Sequence, residues 1–190
     1  MVNAVTVPVT LKTRLGWDDQ SLNAPLIAKS AEGAGVQMIT IHGRTRCQFY
    51  KGRADWAAIA AVKSAVSVPV IANGDIVDVA TAKQALAQSH ADGVMVGRGA
   101  EGAPWRLAEI AHALYGTPAP QIPEGAALAD LVIAHYDHML DFYGAELGLR
   151  VARKHLGWYL EVAGITANRD AILTATDPAR TRALIRDSFT

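Results

Sequence analysis

The sequence has little of what several classes of protein require. It contains one cysteine, Cys47, in 190 residues, which excludes an internal disulfide framework and a zinc site built from several cysteines. We predict no metal site, and a reduced cytoplasmic setting fits this cysteine usage best. Neither sign of charge is in excess, since 18 Lys and Arg balance 18 Asp and Glu. Binding to nucleic acid would therefore have to rest on local basic patches.

Long apolar runs are also missing. No stretch reaches the ~18 uninterrupted apolar residues of a membrane span, so we predict none. The first residues, MVNAVTVPVTLKTR, lack the charged and then apolar regions of a secretion signal. The chain is nevertheless 51% hydrophobic and only 19% charged, which excludes disorder and provides enough apolar residues for a core.

The sequence does contain a repeat of short segments rich in valine and isoleucine. They are VPVTLKTR (7–14), MITIHGR (38–44), VPVIANGD (68–75) and GVMVGRG (93–99). The repeat is roughly 25 to 30 residues, the size of one βα unit. Helical patterns lie between the segments, at 24–35, 55–65 and 79–87. This alternation predicts an α/β fold with a parallel sheet and right-handed crossovers.

Each of the first two predicted strands has one apolar and one polar face. Ile39 and Ile41 point one way, and Thr40 and His42 point the other. A barrel wall fits this pattern better than an open sheet with two covered faces. The polar face of the first predicted strand carries Lys12. We predict that Lys12 is buried at the position equivalent to His42 on the next strand, and that the two side chains contact a shared ligand. Four strands are half of a (β/α)8 barrel, so half the wall is missing or the sheet closes by another route.

The character of the chain changes after residue 115. Residues 116–125, GTPAPQIPEG, hold three prolines and are typical of a linker. Helical patterns without strand signals follow at 128–143, 147–163, 168–175 and 178–188. The predicted organisation is a barrel-like domain over 1–115, a linker over 116–125 and a small all-helical domain over 126–190.

Two strand ends carry residues suited to a ligand. Gly97, Arg98 and a following glycine come directly after the last predicted strand, where backbone N–H groups and a guanidinium can bind phosphate. The alternative is a tight turn with a solvated arginine. Asn73, Gly74 and Asp75 end the preceding strand and could hydrogen-bond a heterocycle or ribityl hydroxyls. Taken alone, they fit a plain Asn-Gly turn better.

Two segments carry clustered cations. Residues 42–53 hold Arg44 and Arg46 with two aromatic residues, and suit either RNA phosphates and bases or an ordinary solvated loop. Arg150, Arg153 and Lys154 share one face of a predicted helix, as a phosphate-contacting stripe or a plain wet face. Cys47 has no evident activating partner beyond nearby arginines, so we do not expect it to be catalytic.

Together these motifs resemble the tRNA-dihydrouridine synthases, specifically the bacterial branch once described as NifR3-like nitrogen-regulation proteins. The resemblance covers essentially the whole chain. Five segments carry it in order: VPVTLKTRLGW, IHGRTRCQFYKGRADW, VPVIANGDI, DGVMVGRGAEGAPW and RVARKHLGWYL.

The resemblance implies an FMN-dependent (β/α)8 barrel followed by a helical tRNA-binding domain. The family reduces the C5=C6 bond of uridines in tRNA, with NADPH reducing the flavin, which passes hydride to C6 of a flipped uridine. The residues implied to contact FMN, its phosphate included, are Lys12, His42, Asn73, Gly74, Asp75, Gly97 and Arg98. Those implied to contact RNA are Arg44, Arg46, Arg150, Arg153 and Lys154.

The chain departs from the family in what it lacks. The resemblance places the first, flavin-cradling strand and the proton-donating cysteine in an N-terminal half, and this chain begins about where that half ends. We therefore expect the C-terminal half of a barrel, no catalytic residue within the chain and no turnover by the chain alone. We also expect self-association through unpaired strand edges.

Three other interpretations stay open from the sequence. One is another phosphate-binding barrel, such as a different FMN oxidoreductase. Another is a non-catalytic RNA-binding module that uses the helical tail and the basic loop. The third is a folded product of a truncated reading frame, without activity of its own.

Overall fold

A computed structural model describes residues 2–190, which form two compact units. The sheet unit contains the described residues up to Gly99 together with Arg106–Pro118. The helical unit contains Ala100–Trp105 and Ala119–Thr190. The sequence placed residues 100–105 with the sheet, but in the structure they belong with the helices.

The sheet unit contains four parallel strands in the order β1-β2-β3-β4. Their bounds are Thr10–Arg14, Met38–His42, Val70–Asn73 and Gly93–Met95. An α/β fold with a parallel sheet is therefore confirmed. That these strands form half of a (β/α)8 barrel stays a prediction.

Helices follow the strands, as the alternating pattern predicted. They are α1 (Ala24–Gly33), α2 (Ile59–Ala65), α3 (Val79–Ser89) and α4 (Arg106–Tyr115), with short 3-10 turns at Val2–Ala4 and Arg98–Ala100. The clearest local signal is at α3, where Asp78 caps the helix and Thr81 completes a capping box. His90, in the left-handed conformation, ends that helix.

The core of the sheet unit lies between the strands and their helices. Ile39 and Ile41 of β2 and Val70 and Ala72 of β3 belong to it, and all four are fully buried. The apolar face predicted for β2 is therefore confirmed. Because these side chains alternate along each strand, the residues between them face the opposite side of the sheet.

The helical unit has its own core. Helices α5 (Gly125–Tyr143), α6 (Ala145–Val162), α7 (Arg169–Thr174) and α8 (Pro178–Phe189) bury one apolar cluster. Its fully buried members include Val132, Leu160 and Ile185. Across residues 2–190, the structure contains no helix both long and apolar enough to cross a membrane.

Candidate functional site at the carboxyl ends of the strands

The strand register brings a row of polar groups to one edge of the sheet. Arg14 at the end of β1 is paired with His42 at the end of β2, and His42 is paired with Asn73 at the end of β3. The row continues to β4, because the Asn73 side-chain amide donates to the Met95 carbonyl at 2.8 Å. Since carboxyl ends of parallel strands meet at one edge, these groups form a single cluster.

Lys12 does not occupy the position that the sequence predicted. It is paired with Thr40, one step before His42 on the same face, and Arg14 occupies the slot beside His42. Lys12 is also exposed, where we had predicted a buried side chain. Partial desolvation and the charge of Arg14 lower the pKa of Lys12 below its ordinary value.

His42 is buried with a cationic neighbour. The residue is 8% exposed, and its Nε2 atom lies 3.4 Å from Nη1 of Arg44. Burial, followed by the charges of Arg14, Lys12 and Arg44, lowers the pKa of His42 to about 4, against the opposing effect of Asp75. The imidazole is therefore neutral near pH 7 and offers one donor and one acceptor.

Gly74 makes room for that imidazole. A Cβ atom at this position would lie 2.6 Å from Cδ2 of His42 and 2.9 Å from the Ala54 Cβ atom. Its φ of +110° is also one that side chains rarely adopt. The close approach to the Gly74 backbone is thus made by His42. The Gly74 carbonyl accepts a 2.8 Å hydrogen bond from the Trp56 indole.

Arg44 is the most deeply buried charge of the site. Its side chain is 2% exposed and pairs with Asp75 at 2.6 Å. It also donates to the carbonyls of Lys51 at 3.2 Å and Gly52 at 2.7 Å. These bonds hold the loop after β2 against the end of β3. We had expected Arg44 to contact RNA, but burial leaves it no open face.

Asp75 completes this ion pair from a strained turn. Its φ is +53°, and its carboxylate accepts a second hydrogen bond from the Ala54 backbone N–H at 2.7 Å. Burial favours the protonated acid. The hydrogen bonds from Ala54 and Arg44 and the charges of Arg44 and Arg98 outweigh it, so the pKa of Asp75 lies below its ordinary value. The carboxylate is therefore ionised, and it binds Arg44 and the Ala54 backbone N–H of the loop after β2.

The turn after β4 is open. A Cβ atom added to Gly97 would have nothing within 4 Å. The Arg98 side chain is 59% exposed, with Nη2 3.8 Å from Oδ1 of Asp75. Its guanidinium lies over the Tyr50 ring, 4.8 Å from the centroid. The two residues predicted to bind phosphate thus lie beside the end of β3, at one accessible place.

Two further residues of the loop after β2, Arg46 and Cys47, face outward. Arg46 is exposed, and its guanidinium lies 5.2 Å from the centroid of the Phe49 ring. Cys47 is exposed, and its backbone N–H donates to the Trp17 carbonyl. Arg46 is thus accessible, and its contact with RNA stays a prediction. No activating base stands beside the Cys47 thiol among the contacts of the described residues.

The predicted stripe on α6 is exposed along the helical unit. Arg150, Arg153 and Lys154 are all accessible. Arg150 makes an i,i+4 ion pair with Glu146 at 3.6 Å, and the Lys154 ammonium lies 4.9 Å from the centroid of the Trp158 ring. These contacts occupy little of the donor capacity of the stripe.

Three contributors were missed from the sequence. Arg14 contacts the Tyr50 ring, Tyr50 in turn contacts Arg98 of the turn after β4, and the Trp56 indole donates to the Gly74 carbonyl. The signal for Arg14 was present, because it shares the polar face of β1 with Lys12. Tyr50 lies in the loop after β2 and Trp56 lies before α2 begins at Ile59, and in such irregular segments periodicity does not indicate where a side chain points.

Comparison with known proteins agrees with the resemblance found in the motifs. Residues 1–189 match the family model described as "Dihydrouridine synthase (Dus)". The chain is 63% identical over 189 residues to a probable tRNA-dihydrouridine synthase of Rhodobacter capsulatus, covering 100% of this chain and 58% of that protein.

Two further relatives agree. A probable tRNA-dihydrouridine synthase of Rickettsia conorii is 50% identical over 190 residues, which are 100% of this chain and 57% of that protein. The tRNA-dihydrouridine synthase B of Vibrio cholerae is 49% identical over 162 residues, 85% of this chain and 50% of that protein. The chain thus spans about half the length of these relatives. It belongs to the dihydrouridine synthase family.

Proposed function

We propose that this chain supplies the FMN phosphate site of a tRNA-dihydrouridine synthase, which reduces uridine to 5,6-dihydrouridine in tRNA with NADPH as reductant. Family membership supports the reaction. The observation that carries the cofactor assignment is the open turn of Gly97 and Arg98 beside the polar ends of the strands.

The residues of the turn fit a phosphate group. Because nothing lies near the Cβ position of Gly97, an anion can approach the backbone there. The Arg98 guanidinium is accessible and can offer two parallel N–H donors. Lys12 and Arg14 add positive charge on the same edge, which favours a dianion over a neutral ligand.

The polar face of the sheet fits the rest of the flavin. Lys12 presents an ammonium, and neutral His42 presents an imidazole that is held in place by burial. The Asn73 amide nitrogen is taken up by Met95, which leaves its oxygen to accept a hydrogen bond. Asp75 serves the flavin indirectly, since its carboxylate holds Arg44 and the loop.

FMN, when bound, would supply the hydride chemistry of the reaction. The chain's own residues bind and orient it. None of them is proposed as the proton donor, because the resemblance assigns that role to a cysteine in the family's N-terminal half. We infer that the chain alone does not turn over tRNA, and that it does so only with the part of its relatives that it does not match.

The tRNA contact is proposed on two surfaces, each within one unit. In the helical unit it is the stripe of Arg150, Arg153 and Lys154 with Trp158, which combines phosphate-binding cations with an aromatic ring. In the sheet unit it is Arg46, which is exposed beside Phe49.

The test is a titration of FMN against the chain, followed by flavin fluorescence, with Arg98→Ala alongside. Charge-assisted hydrogen bonds contribute about 1.5–3 kcal/mol, so we expect Arg98→Ala to weaken FMN about tenfold or more. Lys83→Ala removes an exposed cation from α3 as the matched control and should leave affinity unchanged. Absence of binding, or equal binding by Arg98→Ala, would overturn the proposed site. A salt-dependent tRNA complex without flavin binding would then favour a non-catalytic RNA-binding module.

Two further measurements test the proposals that the chain is inactive alone and that it self-associates. Incubation of the chain with unmodified tRNA, FMN and NADPH should give no dihydrouridine. Turnover would contradict the proposal that the chain is inactive alone. Light scattering should show self-association, because β1 and β4 have only one neighbouring strand each within residues 2–190. A monodisperse monomer would contradict that expectation.

A further inference from the structure

Tyr50 lies between two arginines that are far apart in the sequence, Arg14 and Arg98. Its ring centroid is 5.7 Å from the Arg14 guanidinium carbon and 4.8 Å from that of Arg98. Arg14 comes from the end of β1, and Arg98 from the turn after β4. One aromatic ring thus links the outer strands of the sheet, although neither strand pairs with the other.

The main chain around Tyr50 is held on several sides. Nη1 of Arg14 donates to the carbonyls of Thr45 and Phe49, each at 2.8 Å. Arg44 holds the carbonyls of Lys51 and Gly52, on the other side of Tyr50. The ring therefore projects from a short segment whose ends are fixed by two guanidiniums. Although 54% exposed, it has a defined position.

Arg98 depends on few contacts for its own position. More than half of its side chain is exposed, and its partners are the Tyr50 ring and the Asp75 carboxylate at 3.8 Å. A long side chain loses rotamer freedom when it binds a ligand, and that loss weakens the binding. A contact that orders Arg98 beforehand removes part of that loss.

We propose that Tyr50 is a positioning residue that holds the Arg98 guanidinium ready for the FMN phosphate. This inference rests on the proposed function. A ring contact uses the face of the guanidinium, whereas hydrogen bonds to phosphate use its edge. The Tyr50 contact therefore leaves the donors of Arg98 available. The ring makes both cation contacts, so Phe can replace Tyr at this position and an aliphatic side chain cannot.

The test compares two ligands that differ only by the phosphate, FMN and riboflavin, on Tyr50→Leu and Tyr50→Phe. Tyr50→Leu should weaken FMN about three- to tenfold and change riboflavin less than twofold. Tyr50→Phe should behave as the unmodified chain. Tyr143→Leu is the matched control. Tyr143 is 45% exposed and packs edge-on against Phe142, as Tyr50 packs edge-on against Phe49.

Two outcomes would overturn the role of Tyr50. Equal weakening of FMN and riboflavin would mean that Tyr50 only supports the loop. An effect of Tyr50→Phe as large as that of Tyr50→Leu would mean that the ring is not the acting group.

A second measurement separates this proposal from the proposed function. The phosphate site requires that the unmodified chain binds FMN more tightly than riboflavin and that Arg98→Ala abolishes this preference. If either result fails, the phosphate site is overturned, and the role of Tyr50 in phosphate binding is overturned with it. The Nε–Hε NMR signal of Arg98 then decides the positioning alone. It should be shifted by the ring in the unmodified chain and in Tyr50→Phe, and move to the position of a free arginine in Tyr50→Leu. An unmoved signal would overturn the positioning too.

Discussion

The cations at the strand ends and the cations on α6 are held in opposite ways. In the sheet unit, Arg44 is 2% exposed and its donors are taken up by Asp75 and two carbonyls. In the helical unit, Arg150 is 63% exposed and has a single ion pair with Glu146. The same residue type therefore serves two purposes. The buried Arg44 holds a loop in place, whereas the exposed Arg150 keeps most of its donors accessible to solvent.

This contrast determines what each substitution should change. Removing a buried cation leaves its partners unsatisfied, which lowers the free energy of unfolding. Removing an exposed one changes that quantity little and acts on binding. Arg98 is intermediate, because it is exposed but held by Tyr50 and Asp75.

Arg44→Ala should give the largest loss of stability. It leaves the Asp75 carboxylate and the carbonyls of Lys51 and Gly52 without their donor. Breaking a buried pair costs about 3–5 kcal/mol, and we expect about 3 because Asp75 is partly exposed. Urea denaturation measures it, with exposed Arg46→Ala as control. Equal losses in both variants would remove the distinction between buried and exposed cations.

Gly74→Ala should give the next largest loss, lowering the free energy of unfolding by about 2 kcal/mol. The added methyl group would meet His42 and Ala54 below 3.0 Å, at a φ of +110°. Gly97→Ala is the matched control, since its Cβ would meet nothing within 4 Å. It should leave thermal stability unchanged and weaken FMN. A stable Gly74→Ala protein would mean that His42 is not packed against this turn.

The burial of His42 predicts a dependence of stability on pH. Its pKa is about 4 when folded, against 6.5 for the ordinary side chain, so the unfolded chain takes up a proton first as the pH falls. The contribution of neutral His42 to the free energy of unfolding is full above pH 6.5 and is lost as the pH falls toward 4. Between pH 7 and pH 5, the free energy of unfolding of the unmodified chain should fall by about 1 kcal/mol more than that of His42→Asn. Parallel pH curves in urea denaturation would contradict this.

Replacing Arg150, Arg153 and Lys154 together by Ala should have the smallest effect on folding, within about 0.5 kcal/mol. It should weaken tRNA binding and reduce the salt dependence, because up to three phosphate contacts are lost. Filter binding at several salt concentrations measures both. An unchanged salt slope would show that the stripe is an ordinary solvated face.

The sequence predicted the elements well because their signals are local. Strand segments ending in glycine, asparagine or charged residues and the alternation of apolar side chains lie within a few residues of one another. The predicted helix over 24–35 corresponds to α1 at Ala24–Gly33, and that over 178–188 to α8 at Pro178–Phe189. The start of α2 at Ile59 rather than 55 is a boundary shift of a few residues.

The site could be predicted only in part, because it depends on contacts between distant residues. Arg44 lies in a segment rich in glycine and charge that is typical of solvent exposure, and its burial depends on Asp75, 31 residues away. Predicting which residue of β1 lies beside His42 requires the register between β1 and β2, and the sequence pattern does not determine that register. Register places Arg14 there instead.

The two groups of cations are distinguished by the FMN affinities of two variants measured side by side: Arg98→Ala and the triple alanine variant of Arg150, Arg153 and Lys154. If the strand ends hold the flavin and the α6 stripe serves only RNA, Arg98→Ala should bind FMN about tenfold or more weakly. The triple variant should bind as the unmodified chain. Equal losses in both variants, or a loss confined to the triple variant, would contradict the assignment of the flavin phosphate to the turn after β4.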